Sequence, residues 1–425
     1  MTPRPAAPQG WPLSILAEPL PTSLIIVSRH RPAELARCLR AVALIDHPLA
    51  EVIVVADPAS VALTAGMAVK AVVFDQANIS TARNLGLAQA AGQVVAFVDD
   101  DAIPEPDWLR KIAAPFADPR VTAAGGVVRG RDGMRWQFRA GTVDASGLTS
   151  RFEAPMETHL YPPPGDGRAI STIGTNCAFR RDALAAIGGF ASHHRYHLDE
   201  TDVNLRLAAA GGWAAVVPDA QVLHGAAESI RRTAERVTVD LTEIGASAAC
   251  FWRRHAPGQD HAPLADALIA AERRRLIAQM LAGTLQPGQV AMVLATLRAG
   301  LDQGRSRPLD PGQPIPAPPG FLRFPTRTDR PRRIIAGRRW NQARLRDQAR
   351  QAAADGALVT LFLFSRTSLP HRLRFDPEGF WEQAGGLWGL SHPGLARPWR
   401  AGFATRLARE TATMAAARRP EAAKG

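Results

Sequence analysis

Two acidic clusters are the part of this sequence best equipped for chemistry. The first, Asp99, Asp100 and Asp101, follows the apolar run QVVAFV. Three carboxylates at the exposed end of a strand repel one another unless a cation neutralises them. Oxygen ligands of this kind favour Mg2+ or Mn2+, ions commonly shared with substrate phosphates. A competing reading makes them a cap for the PEPDWLRKI element that follows, although a cap needs only one acid. The second cluster is Asp199, Glu200 and Asp202, at or just inside the start of a helix. Glu200 is a candidate general base, because burial and the like charge of Asp199 would raise its pKa. Helix capping explains acids at such a position equally well.

The elements that must position these clusters alternate. SLIIVS (23–28), EVIVVADP (51–58), AVKAVVF (68–74) and QVVAFVDDD (93–101) are buried-strand patterns. RPAELARCLRAVALI (31–45) and ISTARNLGLAQAA (79–91) have helical spacing. The alternation predicts an α/β fold with a parallel sheet and functional groups at the carboxyl ends of its strands, where Asp57 and Asp99 to Asp101 fall. Residues 125–170 lack periodicity and read as irregular or antiparallel structure carrying loops, with Gly125-Gly126 as a turn or bulge. A strand and short helix (171–190), a helix (199–211) and a strand (213–224) complete the pattern.

The expected organisation is a flexible proline-rich N-terminus (1–20), a catalytic domain (21–230) and a helical extension (231–304). A stiff proline-rich linker (305–320) and a C-terminal region (321–425) follow. Trp381 and Trp388 are read as core of that last unit, with a sugar-stacking surface or a docking patch as the alternative. His193, His194 and His197 are expected as solvated loop residues.

At 425 residues, 46% hydrophobic and 21% charged, the chain can bury a sizeable core, which excludes a disulfide miniprotein or a mainly disordered protein. The net charge is +12. Of 51 basic residues only Lys70, Lys111 and Lys424 are lysines, and arginine pairs bidentately with phosphates, so an anionic partner fits. The arginines at 231–236, 253–254 and 273–275 suggest either a face that rests on an anionic membrane or a solvated charged face. Cys38, Cys177 and Cys250 have neither disulfide nor zinc spacing, and no apolar run reaches the length of a membrane span. A cytoplasmic protein is expected, with a peripheral place on the inner face of the membrane as the alternative.

Taken in order, five blocks resemble the family 2 glycosyltransferases of the GT-A fold. They are SLIIVSRHRPAELARCLRAV, EVIVVADPAS, NISTARNLGLAQAAGQVVAFVDDDAIPEPDWL, GTNCAFRRDALAAIGGF, and LDETDVNLRLAAAGG with VLH. The resemblance covers about 20–230 and implies a Rossmann-like mixed sheet flanked by helices. It implies sugar transfer with inversion from a UDP- or GDP-type donor to a glycan or lipid-linked acceptor, in cell-surface polysaccharide or glycolipid synthesis. By position it assigns Asp57 to the nucleobase and Ser28, Arg31, Arg83, Asp99 and Asp100 to the donor. Asp101, with Asp99 and His224, would hold the divalent cation. Asn176 and Asp202 would lie near the sugar and acceptor. Glu200 matches the catalytic base, but the family more often has Glu-Asp where this chain has Asp199-Glu200, so either carboxylate can fill that role.

Two other functions compete. Sugar-nucleotide synthesis would need a glycine-rich phosphate loop after the first strand, and SLIIVSRHRP has no glycine. A basic nucleic-acid- or membrane-binding protein with a degenerate site accounts for the charge but leaves the ordered carboxylates unexplained.

Overall fold

The computed structural model describes residues 9–12, 18–225, 237–392 and 401–418. Strands β1 (Thr22–Ser28), β2 (Ala50–Ala56), β3 (Lys70–Val73) and β4 (Val94–Asp99) form the parallel half of a mixed sheet, in the order β4-β1-β2-β3. Helices α1 (Pro32–Val42) and α2 (Ile79–Gln89) connect them. A short strand β5 (Ala102–Pro104) and helix α3 (Trp108–Ala113) lead into β6 (Val121–Arg129) and β7 (Trp136–Phe138). Strand β8 (Cys177–Arg180) fits antiparallel between β4 and β6. Helix α4 (Asp199–Ala209) precedes the long strand β9 (Trp213–His224), which pairs parallel with β6 and antiparallel with β5.

Strand alternation sorts side chains to the two faces of the sheet. Leu24 and Ile26 of β1 join Leu35, Leu39, Trp108 and Leu109 of α1 and α3 on one face. Ile25 meets Ala82, Leu87, Val203 and Leu207 of α2 and α4 on the other. The segment 125–170 supplies a small antiparallel sheet through Gly141–Val143, Thr149–Arg151 and Ala169–Ile170. Gly125 and Gly126 form no turn. They lie inside β6, and a Cβ on Gly126 would stand 2.2 Å from the Ala220 carbonyl. Within the stretch expected as a flexible N-terminus, Trp11–Pro12 pairs with His159–Tyr161 and the Trp11 ring packs on Trp213.

Three helices, α5 (Thr242–His255), α6 (Ala262–Leu281) and α7 (Pro287–Ser306), pack beyond β9. The arginine-rich stretch 231–236 lies outside the described residues. The proline-rich segment that follows α7 is extended, as its composition predicts, but it is a strap along the domain. Asp310 accepts hydrogen bonds from Ser192 N and Oγ, Ile315 packs on the second core face, and Leu322 N donates to Glu51 Oε1. A separate sheet follows, from β10 (Arg332–Arg338), helix α8 (Gln342–Ala354), β11 (Leu358–Ser365), β12 (Arg372–Phe375) and β13 (Trp381–Gly386), ordered β10-β11-β13-β12. Helix α9 (Phe403–Arg418) packs against it. Trp381 is buried with Leu373, Met134 and Leu223, so it joins this unit to the first domain and offers no sugar-stacking surface. No helix among the described residues is long and apolar enough to cross a membrane.

Asn176 overturns one expectation from the sequence. Its side chain is fully buried, donating from Nδ2 to the carbonyls of Val127 and Ala220 and accepting from Trp108 Nε1 at 2.7 Å. It staples β6, β9 and α3 together, and its amide is not offered to sugar or acceptor. Asn176→Ala leaves two carbonyls and an indole N–H buried without partners, at about 1 kcal/mol or more each. The expected result is a loss of about 3 kcal/mol in denaturant unfolding, with ligand binding by the remaining folded fraction preserved.

Candidate active site

Four carboxyl ends of the main sheet converge. Asp57, directly after β2, caps the single helical turn Pro58–Val61 by accepting from Ser60 N and Oγ, and it also accepts the His30 amide at 2.7 Å. Burial opposes its ionisation, but these hydrogen bonds prevail and hold its carboxyl below the ordinary value. A carboxylate has about four acceptor positions, so one remains open. Ser28, ending β1, donates to Asp100 Oδ2 at 2.6 Å.

The three consecutive aspartates have separate surroundings. Asp100 is fully buried and receives Ser28 and the Arg31 guanidinium. Burial nevertheless dominates, pushing its pKa up to about 7. It therefore fixes Arg31 from beneath and does not face a donor, a correction to its expected role. Arg31 also reaches Asp101 at 3.3 Å. Asp99 accepts from Thr175 Oγ1 at 2.5 Å, and Asp101 lies 3.3 Å from His224 Nε2. One ligand atom from each of Asp99, Asp101 and His224 falls within 4.8 Å of the others. Two carboxylates and one imidazole form a donor set suited to Mn2+ or Mg2+. On the far side of the ring, His224 Nδ1 is 3.0 Å from Gln137 Oε1. An amide oxygen there accepts a hydrogen bond from Nδ1–H, the tautomer that leaves the Nε2 lone pair free to ligate. Nothing in the sequence marked Gln137, since it sits in the aperiodic segment.

Arg83 is buried and does not lie along an open nucleotide site. Its guanidinium pairs with Asp199, donates to the Gly174 carbonyl at 3.2 Å, lies 3.6 Å from Asp99 and stacks between Phe97 and Phe190. The first turn of α4 is thereby tied to the end of β4. Asp199 is consumed by this pair. Glu200, the next residue, is half-buried and its pKa is raised, first by desolvation and then by Asp199. Asp202 is again a correction. It is fully buried and paired with Arg206 at 2.6 Å, His255 at 2.8 Å and Arg254 at 3.3 Å. Burial works against its ionisation, but His255 and the arginines depress its pKa far below the carboxylate range. It anchors α4 and does not meet an acceptor.

The arginines expected as a membrane face at 253–254 are likewise internal, because Arg253 donates to the Gly304 and Arg307 carbonyls and Arg254 pairs with Asp202. His193 and His194 are buried against each other with ring centroids 4.4 Å apart, and only His197 of the three is exposed. Asp310 N donates to His193 Nδ1, so the strap accounts for that burial.

Residues 23–188 match the sequence pattern of glycosyl transferase family 2. Over these residues the chain is similar to the family 2 glycosyltransferases. It is 29% identical over 113 residues to the glucosyl-dolichyl phosphate glucuronosyltransferase of Haloferax volcanii, covering 26% of this chain and 34% of that protein. It is also 29% identical over 177 residues to the pre-mycofactocin glycosyltransferase of Mycobacterium tuberculosis, covering 41% and 35%. The matches span about a third of the length of these curated relatives. Among solved structures, similarity extends to the mannosyltransferase PcManGT from Pyrobaculum calidifontis in complex with GDP-Man and Mn2+, at 19% identity, TM-score 0.42, and 71% and 90% coverage of the two chains. GalNAc-T7 with UDP, GalNAc and Mn2+ gives 17% identity, TM-score 0.39, and 58% and 53%.

Loss of a residue that orients a metal-ligating histidine typically weakens metal affinity about 10- to 100-fold. Gln137→Ala should weaken Mn2+ binding to this extent, measured by calorimetric titration, while leaving the thermal unfolding midpoint of the metal-free protein nearly unchanged.

Proposed function

We propose that this protein is a metal-dependent, inverting glycosyltransferase that moves a sugar from a nucleoside-diphosphate donor of the UDP or GDP type to a hydroxyl of a glycan or lipid-linked saccharide in surface polysaccharide or glycolipid synthesis. The observation that carries this reading is the grouping of Asp99, Asp101 and His224 at the carboxyl edge of the sheet, with Glu200 held nearby through Arg83. Asp99, Asp101 and His224 would hold the cation, which when bound neutralises the diphosphate as it leaves. Arg31, fixed by Asp100, adds positive charge beside Asp101. Asp57 keeps one acceptor position for the donor's base. Glu200 takes the proton from the acceptor hydroxyl as that oxygen attacks the anomeric carbon, and the bond to the diphosphate oxygen breaks on the opposite face.

Inversion is supported by the state of the neighbouring acids. Asp199 and Asp202 are both ion-paired, which leaves Glu200 as the proton acceptor and no second carboxylate as a nucleophile. The same contrast favours Glu200 over Asp199 as the base.

Calorimetric titration with UDP and with GDP, each with and without Mn2+, tests this reading. One nucleotide should bind only with the metal, and Asp101→Ala should abolish that binding. Glu200→Gln should bind the donor nucleotide normally yet lose transfer by about 10²- to 10⁴-fold, the usual contribution of a general base. Metal-independent binding, or full transfer by both variants, would overturn the assignment.

The direction of the Glu200 shift fixes a pH dependence. A base works only when deprotonated, so kcat/KM should fall with acidification through a raised Glu200 pKa, at higher pH than an ordinary carboxylate gives. Asp199→Asn removes a like charge and leaves the Arg83 charge acting on Glu200, so the acid limb should move to lower pH. A limb unmoved by that substitution would assign the titration to another group.

A further inference from the structure

The C-terminal sheet presents its own carboxyl edge, which the proposed transfer reaction does not use. Strands β10, β11 and β13 run parallel, with Arg338 opposite Phe364 and Ser365 opposite Gly386 at their ends. The segments leaving these ends therefore emerge together. They carry Arg339 and Trp340 after β10, Arg366 and Leu369 after β11, and Leu390 after β13. The last two segments are bonded to each other through Gly386 N to the Leu369 carbonyl and Trp388 N to the Thr367 carbonyl.

This edge combines two features seldom found together on a solvated surface. Trp340 is 72% exposed, Leu369 51% and Leu390 40%. Around them Arg339, Arg344, Arg366 and Arg372 are all exposed, and none has an acidic partner among the described residues. Residues 338–344, 365–372 and 386–391 contain no Asp or Glu. Arginines elsewhere in this unit, such as Arg346 and Arg374, are neutralised by Glu382.

A protruding tryptophan and leucines ringed by unneutralised arginines match an interface between anionic head groups and acyl chains. Polyanions such as DNA would use the arginines but gain little from Leu369 and Leu390. We propose that the carboxyl edge of the C-terminal sheet docks this protein on an anionic lipid bilayer, with Trp340 and Leu369 entering the head-group layer and Arg339 and Arg366 contacting lipid phosphates. The proposal does not depend on the transfer chemistry, and it places the membrane contact away from the arginine stretches that composition alone suggested.

The test is co-sedimentation of the full chain with phosphatidylcholine vesicles, with and without phosphatidylglycerol. Binding should require the anionic lipid and weaken with salt. Each arginine near a charged bilayer contributes about fivefold in affinity, so Arg339→Glu with Arg366→Glu should weaken binding at least about 25-fold. Trp340→Ser with Leu369→Ser, which keeps the charge, should weaken it about tenfold through lost apolar burial. Arg273→Glu with Arg274→Glu, on α6, should bind as the parent does. Unchanged unfolding midpoints would show that the edge variants remain folded, and Arg339→Gln with Arg366→Gln offers a milder pair. The proposal is overturned if the parent chain ignores phosphatidylglycerol, if the edge variants bind like the parent, if only the α6 variant loses binding, or if duplex DNA binds tighter than the vesicles at equal salt.

Discussion

The site depends on one buried cation. Arg83 leaves α2, passes between the rings of Phe97 and Phe190, and ends against Asp199, Asp99 and the Gly174 carbonyl. A guanidinium removed from water is tolerated only when its charge and donors are matched, and removing one partner of such a pair costs about 3–5 kcal/mol. The partners here come from three separate parts of the chain: the end of β4, the turn before β8, and the start of α4. Satisfying Arg83 therefore sets the spacing between Asp99 and the first turn of α4 that carries Glu200. That constraint also separates two adjacent acids chemically, since Asp199 is fixed as a charged partner while Glu200 is left beside it with a raised pKa.

A second network holds α4 from behind. Asp202 collects Arg206, Arg254 and His255, so α4 is locked to α5 through one carboxylate. The chain enters α4 through Leu198 in the left-handed region at φ 64°, a conformation costing a residue with a Cβ roughly 1–2 kcal/mol. That strain is sustained because the first turn of α4 is fixed, by Asp199 on Arg83 and by Asp202 N bonded to the Leu198 carbonyl. The strap adds a further restraint through Arg307, which donates to the His193 carbonyl, and Asp310, which receives Ser192. The segment before α4 is thus held from both the sheet and the helical extension.

The sequence made the parallel half-sheet, the two acidic clusters and α4 legible because period and strand-end position are local properties. Asp57 and Asp99 to Asp101 could be placed because function gathers at strand ends in this architecture, whereas His224 was reached only through the resemblance. What failed was direction. Asp100 lies between the partly exposed Asp99 and Asp101, which turns toward His224, and only the course of this particular backbone turns Asp100 inward onto Arg31. Asn176 and Asp202 belong to recognisable blocks, yet their roles are set by Trp108 and by Arg254, residues distant in sequence that only the fold brings near. Arg253 and Arg254 read as a basic surface by spacing, although α5 directs both inward. Gln137 carried no signal, since a lone glutamine in an aperiodic segment resembles any loop residue.

The C-terminal unit is also more closely joined to the site than its position in the chain suggests. Leu373 N bonds to the Asp132 carbonyl, and Leu373 and Trp381 pack with Met134 and Leu223, the residue before His224. His392 sets its ring edge-on to Trp136 at 5.3 Å, and the guanidiniums of Arg129 and Arg139 also lie over that indole. Trp136 is the neighbour of Gln137, whose oxygen orients His224. A short chain of packed groups therefore runs from the unit carrying the exposed arginine edge to the His224 imidazole. Because β7 is only three residues long and pairs with β6 alone, its placement relies on these contacts more than on the sheet ladder. The C-terminal unit thus packs against the strand that carries Gln137, the hydrogen-bond partner of His224.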